Sequence, residues 1–277
     1  MRGLMATEAE IYHNAKEKQY PQGYRKISVA SRRVYRESGW ELSEKTEKNE
    51  KVSKPQNPEN ASRSDSVRRA KQKVFDIAAM NNFEYFITWT LDGEKINRYS
   101  ADELMKKLSN SLRNWVSRYD LKYLLLPEYH KDSALHLHGL ISGNMKMVDS
   151  GTFKAPGFNQ PVKLEMILSN NIPLEQCHTV YNMPQWSLGW STAIRTYGDV
   201  ENCAKYITKY VTKDIQKIFG NFYYAGGKIV RDVPYKLFDV DYEKIECERE
   251  CYCDVIDTSF KFFETRESYG KMSIGKK

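Results

Sequence analysis

No run of about 18 apolar residues occurs in the sequence, so it offers no transmembrane helix. Its first residues, MRGLMATEAEIYHNAKEK, lack the apolar centre of a signal peptide. Both features point to an intracellular protein, located in the cytoplasm. Cysteine is scarce: five residues, an odd and sparse set that suits reduced thiols better than a disulfide framework. Three of them, Cys247, Cys251 and Cys253, are spaced C-x-x-x-C-x-C with no histidine nearby, which departs from the usual zinc spacings. No G-x-x-x-x-G-K-[ST] segment is present, so neither a helicase module nor a nucleotide cofactor is expected. Histidine is equally rare, with five in 277 residues, which gives weight to any place where two of them meet.

Against these shortages stand 43 Lys and Arg to 36 Asp and Glu, a net charge of +7 that favours a polyanionic partner. Apolar residues at 40% and aromatics at 13% are enough for a folded core. Residues 1–66 read as an N-terminal extension. Its second part, 41–66, is rich in Lys, Glu, Asn and Ser and nearly devoid of aliphatics, so it reads as a flexible linker. Residues 67–235 form the main domain and 236–277 a C-terminal tail. Within the main domain the stretch 66–81 has a helical stripe of Val67, Ala70, Val74, Ile77 and Ala78, with Ser66 as N-cap. Its other face carries Arg68, Arg69, Lys71 and Lys73. FEYFITWTL (83–91) reads as a strand. Residues 100–119 read as an amphipathic helix opened by a Ser100–Glu103 capping box. KYLLLPEYH (122–130) and ALHLHGLI (134–141) form a hairpin across a short polar turn. Residues 143–175 read as a long loop, 186–197 as a strand, and 199–220 as a helix ending at Gly220. Strands paired through a hairpin, with helices on the sheet, indicate an α+β fold on an antiparallel sheet.

Two segments carry chemistry. On a strand, residues two apart point the same way, so His136 and His138 share one face of the hairpin. Glu128, eight residues before His136, falls opposite them on the preceding strand. Two imidazoles and a carboxylate suit Mn²⁺ or Mg²⁺ with open positions for substrate oxygens. His130, at the turn, competes for the third position. In KYITKYVTKD (205–214), Tyr206 and Tyr210 lie four apart on one helix face, and Lys209 and Lys213 follow each by three. A metal that polarises a phosphodiester, beside a tyrosine that attacks phosphorus, makes a 5′-phosphotyrosine link and a free 3′-OH. Arg68, Arg69, Lys71 and Lys73 can follow a DNA backbone, and Trp89, Trp186 and Trp190 are candidates for base stacking or for core.

LHLHGLI resembles the His–hydrophobic–His motif of the HUH endonucleases. FITWTLD resembles the strand motif that precedes it, and KYITKYVTKD their Y-x-x-K motif in its two-tyrosine form. The likeness covers about residues 67–225 and is closest to the rolling-circle replication initiators of single-stranded DNA phages and small plasmids. It implies a five-stranded antiparallel sheet with flanking helices. It also implies His136, His138 and Glu128 as ligands of a divalent cation, Tyr210 and Tyr206 as nucleophiles, and Lys213 and Lys209 as their phosphate-orienting partners. The partners implied are single-stranded DNA at a replication origin and a host helicase and polymerase, with no membrane. A non-catalytic DNA-binding copy-control protein on the same fold is the competing reading. A transposase or relaxase shares the chemistry, but relaxases usually place the tyrosine before the histidines.

Overall fold

The computed structural model describes residues 11–37, 64–130, 132–196, 200–211, 218, 220–253 and 256–266. Most of the expected linker, and Lys213, lie outside them. The chain divides into two units, residues 1–57 with 233–277, and residues 58–232.

In the first unit, strands run over Tyr12–His13 (β1), Ala15–Gln19 (β2), Arg25–Ala30 (β3) and Tyr35–Arg36 (β4). The second unit begins with helix Ser64–Met80 (α1), strand Tyr85–Leu91 (β5), helix Ala101–Tyr119 (α2), and the hairpin Lys122–Tyr129 (β6) and Leu135–Ser142 (β7). It continues with Val148–Lys154 (β8), the short helix Leu164–Ser169 (α3), His178–Asn182 (β9), Gly189–Arg195 (β10), helix Val200–Ile207 (α4) and Tyr224–Gly226 (β11). The chain then returns to the first unit with Tyr235–Phe238 (β12), Arg249–Cys253 (β13) and Thr258–Thr265 (β14). No helix among the described residues is long and apolar enough to cross a membrane.

The first unit is a five-stranded antiparallel sheet in the order β12-β2-β3-β14-β13, with β1 and β4 paired separately. Ala15, Ile27, Val29 and Phe263 are buried on one face, against Phe238, Val240, Tyr242 and Ile245. Buried Glu17 is held by the Arg25 guanidinium at 2.5 Å and the Gln19 amide at 3.0 Å. Extension and tail, the two ends of the sequence, therefore share one sheet. The cysteines of the tail, like Cys177 and Cys203, are unpaired.

The second unit is also α+β. Its sheet is antiparallel in the order β11-β6-β7-β5-β10-β9-β8, a five-strand run widened by β9 and β8 to seven. The alternation in β5 decides the two faces. Tyr85, Ile87, Trp89 and Leu91 are buried, and Phe86, Thr88 and Thr90 point the other way. Against the first face lies α2, whose Leu104, Leu108, Leu112 and Trp115 form a stripe three and four residues apart. Its capping box is built in a variant form: Ser100 Oγ accepts from the Glu103 amide at 3.3 Å, while Glu103 reaches back to the Asn97 amide at 3.4 Å. On the second face, α4 packs on β7 and α1 on α4. The α1 stripe of Val67, Ala70, Val74, Ile77 and Ala78 is buried, although the helix starts at Ser64, so Ser66 lies inside it and is not the cap.

Two expectations need correction. Residues 143–175 are not a continuous loop, since they hold β8 and α3. The helix expected over 199–220 ends at Ile207, passes into a tight 3₁₀ turn over Thr208–Tyr210, and is not helical at Ile218, which bridges to Asn221. The Thr208 hydroxyl donates to the Lys205 carbonyl at 2.8 Å, a local bond that competes with helix continuation.

Gly139 has a steric reason to be glycine. A Cβ there would sit 2.6 Å from the Leu124 carbonyl oxygen and 2.6 Å from a Leu125 methyl. Both belong to β6, so relief requires backbone movement. Gly139→Ala is expected to lower stability by about 1–3 kcal/mol. Urea titration followed by circular dichroism measures it, and an unchanged midpoint would contradict the packing described.

Candidate active site

The register of four central strands writes the site as cross-strand rows on the second face. Trp190, Thr90, His136 and Glu128 are successive neighbours on β10, β5, β7 and β6. The next row is Thr192, Thr88, His138 and Leu126, and the third is Ile194, Phe86, Leu140 and Leu124. Leu140 and Leu124 in the third row are fully buried, whereas Glu128 in the first is 46% exposed. His138, at 16%, stands at the boundary.

Both imidazoles are oriented by threonines of β5. Thr88 Oγ1 is 3.1 Å from His138 Nδ1, and Thr90 Oγ1 is 3.4 Å from His136 Nδ1. Each ring is thereby turned so that its Nε2 is the nitrogen left for another partner. For His138 that partner is Glu128, whose Oε2 lies 3.1 Å from Nε2. The hydrogen bond from His138, reinforced by the charges of His138, His136 and His130, holds the Glu128 carboxyl below the usual range. Burial first, then neighbouring His130 and His138, push the His136 imidazole below its ordinary value, toward the neutral form that binds metals. His130 is exposed at the turn, stacked on His136 with centroids 4.6 Å apart.

The tyrosines arrive from α4 and its terminal turn. Tyr210 stacks on His138 with ring centroids 4.1 Å apart and planes at 27°. Phe86, from the covered row, contacts both tyrosines, edge-on to Tyr206 at 5.1 Å and stacked on Tyr210 at 5.9 Å. The two hydroxyls are 3.4 Å apart. Burial, then the Tyr206 hydroxyl and the Glu128 charge, raise the Tyr210 phenol above its ordinary value, so Tyr210 is protonated at neutral pH. Tyr206 is 46% exposed, with Lys209 Nζ 5.3 Å from its ring centroid.

His136, His138, Glu128, Tyr206, Tyr210 and Lys209 thus converge on one open patch of sheet and one helix end. The basic residues of α1 do not join them in a uniform way. Arg68, Arg69 and Lys71 are exposed, whereas Lys73 Nζ donates to the Arg231 carbonyl at 2.6 Å and sits 3.4 Å from Asp232. Trp89 and Trp186 are core, stacked at 4.7 Å, and only Trp190 of the three stacking candidates is exposed. Thr88 and Thr90 escaped sequence reasoning because their partners are fixed by strand register. Their one signal was the alternation that puts both on the face of Phe86.

The donor set fits a divalent cation in chemistry. It offers two imidazole nitrogens, each with its other nitrogen engaged, and an ionised carboxylate. The 3.1 Å between Glu128 Oε2 and His138 Nε2 suits neighbouring donors on one ion. Among the described residues, no three His, Cys, Asp or Glu side chains are gathered into a ready-made cage.

Searches of curated proteins and of solved structures give no match. Residues 84–215, just under half of the chain, match the family described as replication-associated protein ORF2, and this span contains the histidine pair, Glu128 and both tyrosines. The similarity supports a protein that acts in initiating replication, with DNA as its partner.

Proposed function

We propose that this chain is a rolling-circle replication initiator of the two-tyrosine HUH type, which nicks and rejoins single-stranded DNA through a 5′-phosphotyrosine. The observation that carries the reading is the stack of Tyr210 on His138, with Glu128 on the same imidazole. A phenol, a metal-ligating pair and an open face then meet at one point. Tyr210 Oη attacks phosphorus, the bond to the 3′-oxygen breaks, and the phenolic proton ends on that oxygen as a 3′-OH. The phosphate remains a diester, so a later 3′-OH reverses the step and frees the tyrosine. Tyr206, more exposed and 3.4 Å from Tyr210, supplies the second nucleophile needed to cut again and join after one round of copying. Lys209 neutralises phosphate charge beside Tyr206, and Lys213 has the same role for Tyr210.

His136, His138 and Glu128 would hold Mn²⁺ or Mg²⁺, which supplies Lewis-acid polarisation of the phosphodiester when bound. The chain's own contribution is to present neutral imidazoles and an ionised carboxylate at neutral pH. Arg68, Arg69 and Lys71 extend the contact along the strand, and unwinding and synthesis fall to a host helicase and polymerase. The test is incubation with labelled single-stranded DNA containing the replicon's origin, with Mn²⁺ and with EDTA. A cation-dependent adduct that protease removes is expected. DNA binding with no cleavage under either cation would favour the non-catalytic copy-control reading instead.

The threonine contacts give a metal prediction that does not depend on turnover. Thr88→Val keeps volume and removes the hydroxyl at His138 Nδ1. It is expected to weaken Mn²⁺ binding about 10- to 100-fold by calorimetry, with Thr88→Ser restoring it. Equal affinity in Thr88→Val would show that the hydroxyl does not orient the ligand.

A further inference from the structure

Trp190 is 62% exposed, a rare condition for the largest side chain, and it lies on the same face and in the same cross-strand row as Thr90, His136 and Glu128. The other tryptophan close to it in sequence, Trp186, is core: its ring stacks on Trp89 and its Nε1 donates to the Thr90 carbonyl at 3.2 Å. Among the described residues, none holds the Trp190 indole by a hydrogen bond or ring contact. Two strand spacings, about 10 Å, separate it from His136. Its neighbours along the face are the small polar Thr90 and Thr192, so nothing bulky stands between the indole and the open end of the site. Burial of this ring is thus left to whatever occupies that end.

We propose that Trp190 is a base-stacking platform, which holds a base flanking the phosphate placed at His136, His138 and Glu128. The inference rests on the reading of the site as one for single-stranded DNA. An indole stacks on any of the four bases, so the contact fixes the path of the strand without reading its sequence. It also places the strand along the row, from Trp190 across Thr90 to His136, which brings the flanking phosphate beneath the tyrosines of α4.

The test is binding of fluorescein-labelled oligo(dT) in EDTA, where no cleavage intervenes. Trp190→Ala is expected to weaken binding about 5- to 100-fold, the loss of one stacked base, and Trp190→Tyr to keep most of the affinity. Titration of the native chain with unlabelled oligo(dT) is expected to quench tryptophan emission, and Trp190→Phe to abolish that quenching with affinity nearly retained. Thermal melting by circular dichroism checks that each variant is folded. Unchanged affinity in Trp190→Ala, or quenching that persists in Trp190→Phe, overturns the proposal. The first of these is also what a tryptophan serving a protein contact would give. The nuclease reading is judged separately by adduct formation with Mn²⁺: a chain that forms the adduct with Trp190→Ala binding unchanged loses only this inference. A chain that binds and quenches with no adduct keeps it and loses the nuclease, and no binding at all overturns both.

Discussion

Replacing Tyr206 and Tyr210 together by Phe removes covalent attachment to DNA, with a fall in nicking of roughly a thousandfold or more. The substitution deletes only two hydroxyls. The ring contacts to Phe86 and His138 depend on the aromatic faces, so the fold and the strand-binding surface stay in place. The single variants are not equivalent. Tyr210 is stacked directly on His138, whereas Tyr206 is placed by Phe86 and by Tyr210 itself. Tyr210→Phe is therefore expected to slow the first cut by about a hundredfold or more, and Tyr206→Phe to spare that cut and reduce the second, joining, step. A first-order assay on a labelled single strand, read on denaturing gels, separates these outcomes. Equal first-cut rates for Tyr210→Phe and the native chain would make Tyr206 the leading nucleophile.

His138→Ala is the second large effect. It removes a donor, the ring beneath Tyr210 and the hydrogen-bond partner of Glu128 in one change. Nicking is expected to fall roughly a thousandfold, and Mn²⁺ binding by calorimetry to be lost. Because His138 is at the edge of the covered rows, global stability should change by only about 1 kcal/mol. The pH dependence of Mn²⁺ binding follows from the neighbours. The Glu128 carboxyl is held low, so it stays ionised and ligating until pH falls through that lowered value. The His136 imidazole is also held low, so it stays neutral below its ordinary value of about 6.5. Protons therefore displace the ion only below about pH 6.5. For stability the sign is the same: below the unfolded imidazole value the unfolded chain binds more protons at this position, so acid destabilises the fold there. A calorimetric series from pH 8 to pH 5 measures the binding. Half-loss of affinity above pH 7 would contradict the described electrostatics.

Local chemistry made the central elements readable. The FITWTL alternation, the α2 leucine stripe and the polar turn of the hairpin each follow from a period of two or of 3.6, and they place His136 and His138 on one face with Glu128 opposite. The parts that sequence reading missed are non-local or marginal. Pairing of β2 with β12 and of β3 with β14 joins residues more than 200 positions apart, which no local pattern signals. Strand β8, VDSGTFK, is polar, bulged and at a sheet edge, so it lacks the apolar alternation that would mark it. The early end of α4 hides in KYITKYVTK, whose spacing suits a helix throughout. The Thr208 back-bond and the tight turn decide otherwise, and that turn carries Tyr210 to His138. The pairing of Thr88 with His138 and of Thr90 with His136, and the position of Trp190 in their row, are properties of register. They became visible only with the sheet assembled.

The most direct test is mass spectrometry of the trapped adduct. Trypsin cuts after Lys205, Lys209 and Lys213, so YITK and YVTK separate and each nucleophile reports on its own peptide. Native protein is incubated with Mn²⁺ and an origin strand, digested with trypsin and nuclease, and searched for a nucleotide on either peptide. A 5′-phosphate-linked nucleotide on Tyr210 of YVTK, with a smaller share on Tyr206 of YITK, is the predicted result. A cleaved strand with a free 5′-phosphate and both peptides unmodified would contradict the phosphotyrosine mechanism.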